Sequence, residues 1–198
     1  ERPDWLDAAS TAYRFIADTV SRETRLGHSH REGVTVFPGF AGDHAAMARA
    51  ATLLAEATDD ATYLDDAARW LDALHAHHWD PASGYVMAPE DSSDLAIRIR
   101  SAADDATPNA SGMAAEALVR LHHLTGEQKW LERADALLEA VGTAVSANPF
   151  AHGSLVAALD MRVRAVQIIV MGEPGPARTA LEEAAWEAAD PNRMIQVH

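Results

Sequence analysis

Apolar positions along most of the chain recur every three to four residues, and many of them are alanine. This spacing is typical of amphipathic helices that pack closely through small faces. In the first segment, Trp5, Ala9, Ala12, Ile16 and Val20 form one stripe, which we expect to face the core. The pattern predicts helices over residues 3–25, 43–57, 62–78, 109–124, 128–147, 150–164 and 175–189.

Three stretches break this periodicity. The segment RLGHSHREGVTVFPGF contains several glycines and a proline and is predicted to be non-helical. The β-branched segment VQIIVMG (166–172) predicts a strand, and RMIQVH (193–198) predicts a second one. Residues 79–107 form a long connection, in which Tyr85–Ala88 and Leu95–Arg100 could pair as a β-hairpin.

The chain contains an internal repeat. The segment LAEATDDATYLDDAARWLDAL from Leu54 aligns with LHHLTGEQKWLERADALLEAV from Leu121, so that Tyr63 matches Trp130. Each unit is predicted to be a helix, a tight turn and a second helix. A helical hairpin cannot bury its apolar face alone, so such units stack into a solenoid or close into an α/α toroid. The matching aromatic residues are expected to pack in the core.

Composition excludes several classes of function. The formal net charge of −14 is spread along the chain, which argues against binding to nucleic acid or to an anionic membrane surface. The absence of cysteine excludes disulfides, thiol catalysis and cysteine-ligated metals. Lys129 is the only lysine, which disfavours a Schiff-base enzyme. No apolar run is long enough for a membrane span and no signal-peptide pattern opens the chain, so we expect a cytoplasmic protein.

The stretch LAIRIRSAADDATPN (95–109) concentrates charge between two helices. If it is extended, alternation places Arg98 and Arg100 on the face opposite the isoleucines. Guanidinium groups suit carboxylate, phosphate or polar sugar groups. Asp104 and Asp105 follow, and the helix after Asn109 supplies free N–H groups. The stretch therefore predicts either the wall of a ligand cleft or an Arg–Asp network that braces a hairpin.

Ten histidines raise the question of a metal site. The clusters HSH, HAHH and HH lack the His-Glu-x-x-His spacing of a zinc enzyme, so no metal or other cofactor is predicted. His44 and His152 each lie near the start of a helix expected to point into the helical array. Each is either an acid or base near neutral pH or a packing residue.

The segment PGFAGDHAAMARAATLLAEATDDATYLDDAARWLDAL (38–74) resembles the helical C-terminal region of the thioredoxin-domain-containing proteins of the spermatogenesis-associated type. The blocks over 78–126, 166–175 and 189–197 resemble the following parts of that region in the same order. The resemblance implies an α/α toroid similar to the N-acylglucosamine 2-epimerases and six-hairpin glycosidases. It also implies that this chain is a partial toroid, preceded in the family by a thioredoxin-like domain.

Site residues follow from the resemblance position by position. Asp43 matches the family's Asp-Tyr, with His44 in place of tyrosine, and Arg98 and Arg100 match its Arg-x-Lys. Asp104 matches its Asp-Gly-Ala, with an aspartate in place of glycine. Paired carboxylates are the signature of glycoside hydrolysis. The candidate catalytic residues are Asp43, His44 and Asp104, and the candidate substrate-binding residues are Phe40, Arg98, Arg100, Asp105, Asn109, Ser111 and His152.

The expected fold class is all-α, with the hairpins of a partial (α/α) toroid over 1–165, a small β-hairpin insertion, and a strand–helix–strand extension over 166–198. One functional hypothesis is an epimerase-like or glycosidase-like domain that binds a carbohydrate or small anion. The alternatives are a non-catalytic scaffold for a thioredoxin-like domain, which the substitutions at the motif positions favour, and a degenerate helical fragment. Apolar faces left uncovered by a partial toroid predict that this chain self-associates or is unstable alone.

Overall fold

The computed structural model describes residues 2–92 and 99–198, and helices dominate it. The all-α class, with small β-hairpins, is confirmed. The seven helices among the described residues are α1 (Pro3–Thr19), α2 (Ala41–Thr58), α3 (Thr62–His78), α4 (Ala110–Thr125), α5 (Gln128–Ala147), α6 (Gly153–Arg164) and α7 (Pro176–Glu187). A 3₁₀ turn at Pro149–His152 leads into α6. The strands are β1 (Ser21–Arg22), β2 (Arg25–Leu26), β3 (Ser29–Arg31), β4 (Val34–Val36), β5 (Trp79–Asp80), β6 (Gly84–Tyr85), β7 (Val166–Val170) and β8 (Arg193–Val197).

Helices α2, α4 and α6 lie side by side as an inner row, and α1, α3 and α5 pack outside them. The repeated sequence forms equivalent hairpins, α2–α3 and α4–α5. Asp59 and Gly126 end the first helix of each hairpin in the left-handed conformation, at φ 54° and 73°. Tyr63 and Trp130 are both buried at the start of the second helix. The repeat in the sequence is therefore a repeat of a folding unit.

The first helix differs from its prediction at both its end and its buried face. It ends at Thr19 rather than near residue 25, because Ser21 pairs with Leu26 in a tight β1–β2 hairpin. The buried face is formed by Leu6, Tyr13, Ile16 and Ala17, and Trp5 is exposed. A hydrogen bond from Trp70 Nε1 to the Tyr13 hydroxyl (2.9 Å), inside the core, ties α1 to α3.

The connection between α3 and α4 begins with a short hairpin, in which Tyr85 of β6 pairs with Trp79 of β5. A backbone hydrogen bond from Met87 N–H to Ile99 O (3.3 Å) joins the two arms of the predicted Tyr85–Ala88 and Leu95–Arg100 hairpin. Residues 93–98, which include Leu95 and Arg98, lie outside the described residues, so the rest of this pairing stays a prediction.

The C-terminal segment has the predicted order of strand, helix and strand. Strands β7 and β8 pair in parallel, with α7 connecting them. Glu56 of α2 accepts a hydrogen bond from Ile195 N–H (2.9 Å), which anchors β8 to the inner helices. Glu56 also pairs with the buried Arg120 of α4 at 2.9 Å. The division of the chain into domains at residue 165 stays a prediction.

Candidate functional site

A cleft of about 400 Å³ opens where α2 and α4 begin. The N–H groups of a first helical turn have no partners within the helix, so this rim favours negative charge and acceptor groups. Four of the ten predicted site residues line the cleft: Phe40, Asp43, Asp105 and Asn109. The other described lining residues are His28, Gly42, Tyr85, Met87, Ile99, Ser101, Ala103, Thr107, Pro108 and Ala110.

One side of the cleft is built around Asp43, in the first turn of α2. Its Oδ2 atom accepts hydrogen bonds from Phe40 N–H (2.7 Å) and from His28 Nδ1 (3.0 Å). The His28 ring packs against the Phe40 ring with a centroid distance of 4.4 Å. Gly39 lets the two chain segments approach, because a Cβ there would lie 2.7 Å from Leu26 O. These contacts fix one carboxylate oxygen of Asp43 and leave Oδ1 with no hydrogen bond to the described residues.

The opposite side is formed by the segment that leads into α4. The Asn109 side chain caps α4 by accepting a hydrogen bond from Ser111 N–H (2.8 Å). Its amide group also donates to Ser101 O (2.9 Å) and Ala103 O (3.3 Å). Asp105 lies just after Ser101 and Ala103, whose carbonyl groups Asn109 holds in place, and its exposed carboxylate lines the cleft. Carboxylates from two separate segments of the chain therefore line the cleft.

Asp104 does not line the cleft, although it was expected to be catalytic. Its Oδ1 atom accepts from Asn109 N–H (2.8 Å) and the Ser154 hydroxyl (2.5 Å), and its Oδ2 atom accepts from Ser154 N–H (2.8 Å). Partial burial opposes ionisation of this carboxyl, but the bonds from Ser154 and Asn109 outweigh it and lower the pKa of Asp104 below its ordinary value. Asp104 joins the beginnings of α4 and α6.

His44, Ser111 and His152 are buried away from the cleft. His44 Nε2 accepts from Leu26 N–H (3.2 Å), and its Nδ1 bonds Phe40 O (3.2 Å). Burial lowers the pKa of His44, which keeps the ring neutral. Ser111 accepts from Tyr85 N–H (3.2 Å), and His152 Nδ1 bonds a backbone oxygen in the preceding turn (2.8 Å). Their positions do not support the contact with a substrate that was expected of all three.

Arg100 is an exposed residue that forms a salt bridge with Asp80 at 3.0 Å. It braces the connection against the β5–β6 hairpin and is not among the residues that line the cleft. Among the described residues, no arginine or lysine lines the cleft. The Asp, Glu and His side chains that line the cleft in this part of the chain are two carboxylates and one imidazole, which favours ligands rich in hydroxyl donors over anions.

His28 lines the cleft but was not predicted to, because the HSH cluster was considered only as a metal site. The glycines and proline of this segment were the signal that could have placed His28 at the cleft, since tight turns return the chain to the start of the next helix. Within the described part of the chain, no group of three or more His, Asp or Glu is arranged to hold a metal. No helix there is long and apolar enough to span a membrane.

Known proteins are similar to this chain in fold and in sequence. The structure of a GH76 alpha-mannanase from Bacteroides thetaiotaomicron superposes with a TM-score of 0.61 at 18% identity, over 80% of this chain and 46% of that chain. The mouse spermatogenesis-associated protein 20 is 30% identical over 161 residues, and the human protein is 29% identical over the same length. The match covers 79% of this chain and 20% of each relative, so the chain spans about a fifth of their length.

These similarities confirm the predicted relationship to the α/α toroid region of the spermatogenesis-associated proteins. Residues 1–156 match the family model described as glycosyl hydrolase family 76. At 18% identity, the mannanase structure shows the fold alone. Since the family match extends over most of the sequence, the chain belongs to glycosyl hydrolase family 76.

Proposed function

We propose that the cleft binds a carbohydrate, and that Asp43 and Asp105 are the carboxylates that handle protons during glycoside cleavage. The observation that carries this proposal is that two carboxylates, one from the start of α2 and one from the segment that leads into α4, line one concave site. Glycoside hydrolysis needs one carboxyl to protonate the leaving oxygen and a second to act as nucleophile or to activate water. Membership of a glycosyl hydrolase family supports the same chemistry.

Asp105 takes the part that the sequence assigned to Asp104. Both Asp104 oxygens accept hydrogen bonds from the protein, so the group has little capacity left for a substrate. The Asp105 carboxylate is exposed in the cleft. Asp43 is held in one orientation by His28 and Phe40, and its Oδ1 atom has no hydrogen bond to the described residues. One oriented carboxylate and one unconstrained carboxylate in the same cleft suit an acid–base pair.

The proposed ligand is a neutral sugar rather than a sugar phosphate or other small anion. Two aspartates raise the free energy of any anion in the cleft, and Arg100 is paired with Asp80 outside it. The Asp43 and Asp105 carboxylates can accept hydrogen bonds from sugar hydroxyls, and the Phe40 ring offers an apolar face. Since one protein of similar structure is an alpha-mannanase, mannose oligosaccharides are the first compounds to test.

The test is a thermal-shift titration combined with chromatographic detection of released sugars. Ligand at one hundred times its Kd adds about 2.7 kcal/mol of stability, which raises Tm by roughly 5–10 °C for a chain of this size. Asp105→Asn should abolish sugar release and weaken the shift. Asp65→Asn, the same change on an exposed part of α3, is the matched control. Neutral mannose oligosaccharides should shift Tm and mannose phosphates should not.

A second candidate function is a non-catalytic module that supports a thioredoxin-like domain in a longer cytoplasmic protein. It is favoured by the pairing of predicted site residues within the fold, most clearly Asp104 with Ser154 and Arg100 with Asp80. This candidate predicts neither a thermal shift nor sugar release with any of the compounds above. It predicts instead that an added thioredoxin-like domain from a spermatogenesis-associated relative raises the Tm of this chain.

A further inference from the structure

Part of the cleft lining is apolar and consists of Phe40, Met87 and Ile99, which we call the apolar wall. Met87 is 46% and Ile99 is 53% exposed, and Phe40 is half-buried. Single apolar side chains on a protein surface are ordinary. A contiguous group of them in a concave site is not, because such groups mark places where a ligand binds. The wall therefore indicates that part of the ligand is apolar.

Backbone hydrogen bonds bring the three residues of the wall together. The Met87 carbonyl group accepts from Ala41 N–H (2.9 Å), the residue that follows Phe40. The Met87 N–H group donates to Ile99 O (3.3 Å). Both backbone groups of Met87 are therefore bonded, one to the start of α2 and the other to the segment that leads toward α4. The wall joins these two parts of the cleft.

The apolar wall adjoins one of the two proposed catalytic carboxylates. The N–H group of Phe40 donates to Asp43 Oδ2 (2.7 Å), and the Phe40 side chain belongs to the wall. The Oδ1 atom of Asp43 has no hydrogen bond to the described residues, so it is left for the sugar. A group joined to a sugar at Asp43 can therefore extend along the wall.

We infer that the wall binds an apolar aglycone, an alkyl or aryl group attached to the sugar that the carboxylates bind. For its sugar half, this inference rests on the proposed function. The side chains of the wall carry no N–H, O–H or carbonyl group, and the backbone groups of Phe40 and Met87 are all bonded within the protein. A second sugar ring placed there would lose water from its hydroxyls without replacement hydrogen bonds, which costs free energy. An alkyl or aryl group gains free energy when it leaves water at the same place.

Calorimetric titration of the intact chain with methyl, butyl and hexyl mannosides tests this inference. Affinity should rise about fourfold for each methylene group that the wall removes from water, so butyl mannoside should bind up to about 60-fold more tightly than methyl mannoside. Met87→Gln and Ile99→Thr each replace an exposed apolar side chain by a polar one of similar size, so both should reduce this rise. Leu181→Gln on α7, at a position 57% exposed and outside the cleft, is the matched control and should keep it.

Mannobiose, in which a second sugar replaces the alkyl group, should bind no more tightly than methyl mannoside. An affinity that does not change from methyl to hexyl mannoside would overturn the inference, as would a rise that persists in Met87→Gln and Ile99→Thr. Mannobiose that binds more tightly than butyl mannoside would overturn it too, because the wall would then accept a sugar. If affinity rises with chain length but no alcohol is released, the inference stands and the proposed catalysis fails. If none of these compounds binds, both fail.

Discussion

Replacement of Asp104 by alanine should destabilise the fold. The carboxylate accepts three hydrogen bonds, two from Ser154 and one from Asn109 N–H, at 2.5–2.8 Å. A hydrogen bond to a charged group contributes about 1.5–3 kcal/mol. Asp104 is only half-buried, so water can replace part of what is lost. We therefore expect a loss of about 3 kcal/mol in the free energy of unfolding, or roughly 6–12 °C in Tm for a chain of this size.

Urea unfolding followed by circular dichroism measures this loss. Asp105→Ala is the matched control, because it removes the neighbouring carboxylate from an exposed position and should change stability by less than about 0.5 kcal/mol. The folded pKa of Asp104 is lowered, so its contribution is fully present above the unfolded pKa near 3.9 and is lost as the pH falls through the folded value. The difference between wild type and Asp104→Ala should therefore shrink below about pH 4.

The opposite pattern of results would refute this reasoning. If Asp104→Ala unfolds within about 0.5 kcal/mol of the wild type, the three bonds do not brace the ends of α4 and α6. If that variant is also stable but inactive toward glycosides, while Asp105→Ala remains active, the catalytic role returns to Asp104. Comparison of Asp104→Ala with Asp105→Ala therefore distinguishes a role in stability from a role in catalysis.

Three further predictions concern buried contacts. Burial lowers the pKa of His78 to about 4 from 6.5. The contribution of the neutral ring to stability is therefore fully present above pH 6.5, and about 3 kcal/mol of the free energy of unfolding is lost as the pH falls toward 4. In urea titrations, wild type and His78→Gln should diverge above pH 4 and converge toward it. Glu56→Gln breaks the buried pair with Arg120 and should cost about 3–5 kcal/mol in urea unfolding, with faster proteolysis of the C-terminal strand. Gly112→Ala should cost about 1–3 kcal/mol by the same assay, because a Cβ there would lie 2.6 Å from Ser154 Cβ.

Periodicity predicted most helix boundaries to within a few residues, because the buried faces of the helices follow their apolar spacing. It failed at the end of α1, which was predicted to reach residue 25 but ends at Thr19, just before Ser21 pairs with Leu26. The hairpin holds Glu23 at a positive φ (53°), which no apolar pattern encodes. A contact between residues a few positions apart therefore ends the helix before its predicted boundary.

The candidate site could be located from the sequence, but not its individual members. Neighbouring residues on a helix are rotated by about 100°, so Asp43 faces the cleft while His44 enters the core. Along an extended segment, successive side chains point to opposite sides, and Asp105 lines the cleft while Asp104 turns toward Ser154. A sequence motif assigns both members of each pair to the same site, whereas the backbone geometry directs their side chains to different places.

The acidic rim of the cleft has a structural cause that precedes any catalytic one. The inner helices α2, α4 and α6 begin near this end of the array, and their first N–H groups need acceptors. Asp43 meets that need at Phe40, and Asp104 meets it at Asn109 and Ser154. A carboxylate at this rim is therefore no evidence of chemistry in itself. What distinguishes a candidate acid or base is an oxygen that no helix terminus uses, a condition met by Asp43 Oδ1 and by the exposed Asp105 carboxylate but not by Asp104.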